Sequence, residues 1–97
     1  MLIGEGQKTF RLEVMHPEMS TKVWDVSTDE ETIGSALYEL GLTDDENFFT
    51  IIDGVRADFT EDGYWWAFYI NGEMAMQGVG ETEIKEGVIY AFVYTPA

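Results

Sequence analysis

The sequence predicts an α+β fold: a mixed sheet with one helix packed on one face. Three observations carry that expectation. Residues 64–70 are a run of aromatic and aliphatic side chains without charge or proline, which is the composition of a strand. Ile33, Ala36, Leu37 and Leu40 recur at the spacing of one helical face. Residues 9–16 alternate between apolar and polar, as a half-buried strand does. Laying the helical stripe on the apolar face of the sheet buries both at once.

In chain order, Phe10, Leu12 and Val14 face one way, and Thr9, Arg11, Glu13 and Met15 the other. Pro17 cannot donate to a ladder and ends that strand. Residues 21–27 form a second strand, with Val23 and Trp24 on opposite faces, and residues 16–20 fit a hairpin loop. Thr28 with Glu31 reads as a capping box. Asp29, Glu30 and Glu31 place negative charge at the positive end of the helix dipole. Gly41 stands where a glycine stops a helix. A helix of roughly eleven residues needs tertiary packing to persist.

Residues 42–47 read as an acidic loop. Residues 48–52 read as a third strand, turned by Asp53-Gly54 into a short arm at 55–57. On the strand at 64–70, Tyr64, Trp66, Phe68 and Ile70 share one face and Trp65, Ala67 and Tyr69 the other. Both faces are apolar, so a central strand is expected. Asn71-Gly72 supplies the positive φ angles of a tight turn. Residues 73–80 are expected to be irregular, and 81–87 a turn or a single helical turn. Residues 88–94, apolar on both faces, form an internal closing strand that Pro96 ends. A helix crossing the sheet after an opening hairpin is the β-grasp (ubiquitin-like) order, with residues 1–97 as one domain.

The charge is lopsided. Nineteen acids against five bases give a net charge of −14. That disfavours nucleic acid and anionic membrane surfaces as partners; it reads first as a solvated acidic surface, with attraction of cations or basic partners as the alternative. No apolar run reaches the roughly 18 residues of a membrane span. The opening residues lack the basic region of a signal peptide and read as a processed start. With no cysteine, disulfides, thiolate metal sites and cysteine nucleophiles are excluded.

Two groups of residues have the chemistry of a site. Trp65, Tyr69, Met74 and Met76 form a soft apolar patch around the tight turn, with Asn71 and Gln77 as nearby neutral polar groups for an amide-bearing ligand. Ordinary core filling competes with that reading. Asp58, Thr60 and Asp62 followed by Gly63 match the first half of a calcium loop. The twelfth position, where a carboxylate is needed, is Tyr69, so an acidic turn entering a strand competes with a calcium site. Asp44, Asp45, Glu46 or Asp53 would have to complete it in space. His16 stands alone, without a serine, cysteine or second histidine that would make it catalytic. Nothing in the chain has the pattern of a nucleophile elbow or phosphate loop, and a non-catalytic protein is expected.

The runs Ile33-Gly34-Ser35-Ala36-Leu37-Tyr38-Glu39-Leu40-Gly41-Leu42, Ile52-Asp53-Gly54-Val55, Tyr64-Trp65-Trp66-Ala67-Phe68-Tyr69-Ile70-Asn71-Gly72-Glu73, Gly78-Val79 and Ile84-Lys85-Glu86-Gly87 together resemble an uncharacterised family of bacterial exported domains. That family is similar to the C-terminal β-domain of transcobalamin and intrinsic factor. The resemblance spans about Phe10 to Tyr94. It implies a β-grasp-like fold, an extracellular or cell-surface location, and a binding role. The ligand it implies is cobalamin, which this domain covers as a lid in the transcobalamins. Only the lid is present here. A divalent-cation module and an adhesive spacer within a longer surface protein remain the alternatives.

Overall fold

The computed structural model describes residues 1–17 and 20–96. The chain runs β1 (Leu2–Ile3), β2 (Lys8–Met15), β3 (Thr21–Thr28), α1 (Ile33–Glu39), β4 (Ile51–Ile52), β5 (Val55–Arg56), α2 (Phe59–Asp62), β6 (Tyr64–Ile70), β7 (Glu73–Met74), a 3-10 turn (Val79–Glu81) and β8 (Ile89–Pro96). Six strands form one sheet in the order β1-β3-β2-β8-β6-β7, and β4 and β5 pair as a separate hairpin. β2 runs antiparallel to β3 and parallel to β8, and β8 is antiparallel to β6. The molecule is therefore α+β, with a mostly stranded, mixed sheet and few helices. Glu18 and Met19, in the loop expected between the first two long strands, lie outside the described residues.

Alternation became burial where the sequence was most regular. Phe10, Leu12 and Val14 of β2 are buried, as are Trp24 and Val26 of β3. The stripe Ile33, Ala36 and Leu37 of α1 joins them in one core with Tyr90 and Phe92 of β8. Phe68 stacks on Phe92 at a centroid distance of 4.8 Å, and Phe10 meets Tyr90 edge-on at 5.3 Å. Such pairs add to the area they bury.

Several expectations need correction. β6 is not central: β2 and β8 are, and β6 lies next to the edge. Its outer neighbour, β7, pairs only with Tyr69 and Ile70. The helix is shorter than expected and is capped by Thr32, whose hydroxyl accepts from the N–H of Ser35 at 3.1 Å. Residues 31–33 cannot start it earlier because they are tied to another segment. The N–H of Ile33 donates to Thr82 and that of Ile84 donates to Glu31. Thr28 instead ends β3 and accepts from the N–H of Glu30 at 3.0 Å.

Gly41 does end the helix, at φ 77°. The N–H groups of Gly41 and Leu42 reach back to Tyr38 and Leu37 in the double closure of a Schellman motif. The expected strand at 48–52 shrinks to Ile51–Ile52. The carboxylate of Asp44 takes the N–H groups of Thr50 and Ile51 at 2.9 Å each, so these donors serve a loop instead of a ladder. β1 had no counterpart in the expectations. Two residues are too few to show a period.

One glycine sets where this loop lies. A Cβ on Gly34 would collide with the carbonyl of Glu46. The bare backbone of α1 lets Glu46 close against it, and Phe49, three residues on, meets Phe92 of β8 at a centroid distance of 5.3 Å.

Candidate binding groove

The groove is built by a change of direction at α2. The side chain of Asp58 caps that helical turn, accepting from the N–H groups of Thr60 and Glu61 at 2.9 and 3.1 Å. Gly63 ends it at φ 72° and sends the chain into β6. Between α2, the loop at 47–50, β6 and the segment 74–79 lies a groove of about 440 Å³, within the range of small-ligand sites. Its walls are mostly apolar, and Phe48, Phe59, Trp65, Trp66, Phe68 and Met74 are among the large side chains that line it.

The expected ligand-binding residues divide. Trp65, 37% exposed, and Met74, 55% exposed, line the groove with Gln77. Tyr69 does not. It lines a second depression of about 480 Å³ with Tyr64, Tyr94 and His16. Asn71 sits in the turn at φ 50°, and its carboxamide oxygen accepts from the N–H of Ile89 at 2.9 Å. Its amide is therefore committed to holding the turn against β8. Met76, 96% exposed, is not part of the groove lining. The sequence marked the patch, but alternation could not show that these residues turn towards different sides of the sheet edge.

The expected metal trio has another use. Asp58 and Thr60 line the groove and Asp62 does not. Arg56 contacts Asp58 at 3.3 Å, Asp62 at 3.8 Å, and Glu61. The guanidinium lies where a cation would have to sit. Hydrogen bonds from the backbone N–H of Glu61, then from Arg56, hold the Asp58 carboxyl below the usual range. The Glu61 and Asp58 carboxylates raise the Arg56 guanidinium further. As folded, this donor set does not fit a metal ion. Among the described residues, no group of three or more His, Asp or Glu side chains could hold one.

Two groups escaped the sequence reading. Phe48 and Phe59, 72% and 67% exposed, line the groove. The signal for Phe48 was its place beside Phe49: on an extended chain one faces inward and the other out. His16, given little weight in the sequence, bridges elements: Nε2 meets Asp53 at 3.0 Å and Nδ1 the Val14 carbonyl at 3.2 Å. Lys22 donates to the same Asp53 carboxylate at 2.8 Å, pinning the β4–β5 turn to the β2–β3 hairpin.

Among the described residues, no helix is long and apolar enough to cross a membrane. The profile of a domain of unknown function, DUF4430, matches residues 20–89. No curated protein matches the chain. Among solved structures, the chain is similar to a protein of Ruminococcus gnavus for which metal binding has been proposed. The TM-score is 0.84 at 23% identity, covering 94% of this chain and 99% of that one. It is also similar to haptocorrin in complex with Cbi, with a TM-score of 0.68 at 19% identity, covering 92% of this chain and 25% of that one. Both likenesses establish a shared fold.

Proposed function

Since the chain belongs to the DUF4430 family, we propose that it is a non-catalytic binding module holding a flat, partly apolar ligand in the groove beside β6. The observation that carries this reading is the meeting of Trp65, Met74 and Gln77 with Phe48 and Phe59 around one apolar cleft. Exposed aromatic side chains around one cleft suit a planar molecule, and the neutral polar side chains Asn47, Thr60 and Gln77 that line it suit its amides. The likeness to haptocorrin supports a corrin such as cobalamin or cobinamide. The chain matches a quarter of haptocorrin, so the expected affinity is weak, because one wall buries little of the ligand. We read the sheet order β3-β2-β8-β6-β7 as a β-grasp plan, residues 1–97 as one domain, and the parent as an exported bacterial protein.

Titration with cobinamide, following tryptophan fluorescence, tests the reading. A saturable change is expected in the upper micromolar to millimolar range, and Trp65→Ala should weaken it by about tenfold. An unchanged spectrum at millimolar ligand removes the corrin proposal.

A second reading, a divalent-cation module, is favoured by the metal binding proposed for the R. gnavus relative. A cation would have to displace Arg56 from Asp58 and Asp62. Binding to the native state alone must raise Tm. An equal Tm in saturating calcium and in chelator, for both the native protein and Arg56→Ala, retires this reading.

A further inference from the structure

The groove reaches the edge of β6 as well as its inner face, where Phe92 of β8 also lines it. Trp65 points to one side of β6, and Trp66 and Phe68 to the other, yet all three line the same cleft. A cleft that touches both sets of side chains reaches past the strand's margin or its end. The hydrogen bonding agrees. The carbonyl of Phe68 accepts from Ala75 at 2.9 Å on the outer side, while the N–H of Asn71 donates to Ile89 of β8 on the inner side. Alternation then aims the N–H and C=O groups of Tyr64 and Trp66 outward. β7 stops short of them, since it pairs with Tyr69 and Ile70. Among the described residues, no backbone group bonds these outward groups.

We infer that this open margin of β6, with the groove beside it, takes an extended polypeptide segment of alternating apolar and basic residues as an added strand. Main-chain pairing supplies the affinity in such complexes, and the cleft selects alternate side chains. The apolar set would lie between Trp65 and Phe48.

Charge names the occupant. The chain carries −14, Asp58 lines the cleft, and Glu46, Glu61 and Glu73 are exposed one residue from lining positions. The base beside the cleft, Arg56, is already held by three carboxylates. An incoming strand rich in lysine or arginine meets complementary charge, whereas a second copy of this chain meets repulsion. The inference shares the groove with the corrin reading but not its ligand. A failed corrin titration leaves it standing, and a failed peptide titration leaves the corrin reading standing.

The test uses the whole chain and an acetylated, amidated peptide of about eight residues, a common strand length, alternating valine and lysine. Calorimetry should show saturable binding that weakens as salt rises from about 0.05 to 0.5 M. Amide exchange at Trp66 should slow by about tenfold or more on binding. The same peptide N-methylated on alternate residues, on the edge that pairs, should bind about tenfold more weakly. A peptide with glutamate for lysine should not bind. Absence of binding at millimolar peptide overturns the inference, as does equal binding of the N-methylated peptide or unchanged exchange at Trp66. Trp65→Ala, altered at a partly exposed side chain, should retain the fold and lose most of the binding.

Discussion

The β2–β3 side of the sheet and the β6–β7 side both start from strands with a continuous apolar face and end differently. β2 pairs with β3 over eight residues and with β8 along its other edge. Every backbone edge of β2 is thus engaged, and its inward side chains Leu12 and Val14 are sealed. β6 has full pairing only towards β8, and β7 covers just its last two residues. Where the ladder stops, side chains from both faces border the same cleft. The lesson is that an aromatic strand makes core or makes a site according to how many of its edges are paired, not according to its composition.

Breaking the paired side should have the largest effect. Leu12→Ala is expected to destabilise by about 2–5 kcal/mol, read as a large fall in Tm, whereas Trp65→Ala should stay under about 1.5 kcal/mol. Equal losses would erase the distinction between the two sides. Next comes the loop that walls the cleft. Gly34→Ala should cost about 1–3 kcal/mol by forcing α1 away from the Glu46 carbonyl, and urea midpoints will measure it.

The helical turn at the mouth of the cleft should be less costly to damage. Asp58→Ala removes the side-chain cap of this turn and should lower the urea midpoint by less than Gly34→Ala does. Its pH dependence has a definite sign. The folded-state pKa of Asp58 is lowered, so its stabilisation is complete above the ordinary aspartate value of about 3.9. It is lost as the pH falls through the lowered folded value. The difference in urea midpoint between native protein and Asp58→Ala should therefore shrink on acidification below about pH 4. A difference that grows instead would reverse the assignment. The smallest effect concerns two neighbouring methionines. Met76→Ser should change neither stability beyond about 0.5 kcal/mol nor binding, while Met74→Ser should weaken binding severalfold.

Much of the architecture was legible in the residues themselves. The period of two in β2 and β3, the stripe Ile33, Ala36 and Leu37, and Gly41 at the helix end all sit where local rules put them. Turns at Asp53-Gly54 and Asn71-Gly72 adopt the positive φ angles their residue types allow. The candidate site was half legible. Trp65, Met74 and Gln77 meet in the cleft, but Tyr69, Asn71 and Met76 do not. Proximity in sequence located the turn, not the direction in which each side chain leaves it.

By itself the sequence determined the elements that follow from short-range periodicity, together with a net charge of −14. Tertiary structure alone decided that β7 covers only the end of β6, that Arg56 contacts Asp58, Glu61 and Asp62, and that Phe48 and Phe59 line the same cleft as Trp65. The physical reason is range. Alternation and capping act over a few neighbours along the chain, whereas edge pairing and ion pairing join segments whose approach is set by how the whole core packs.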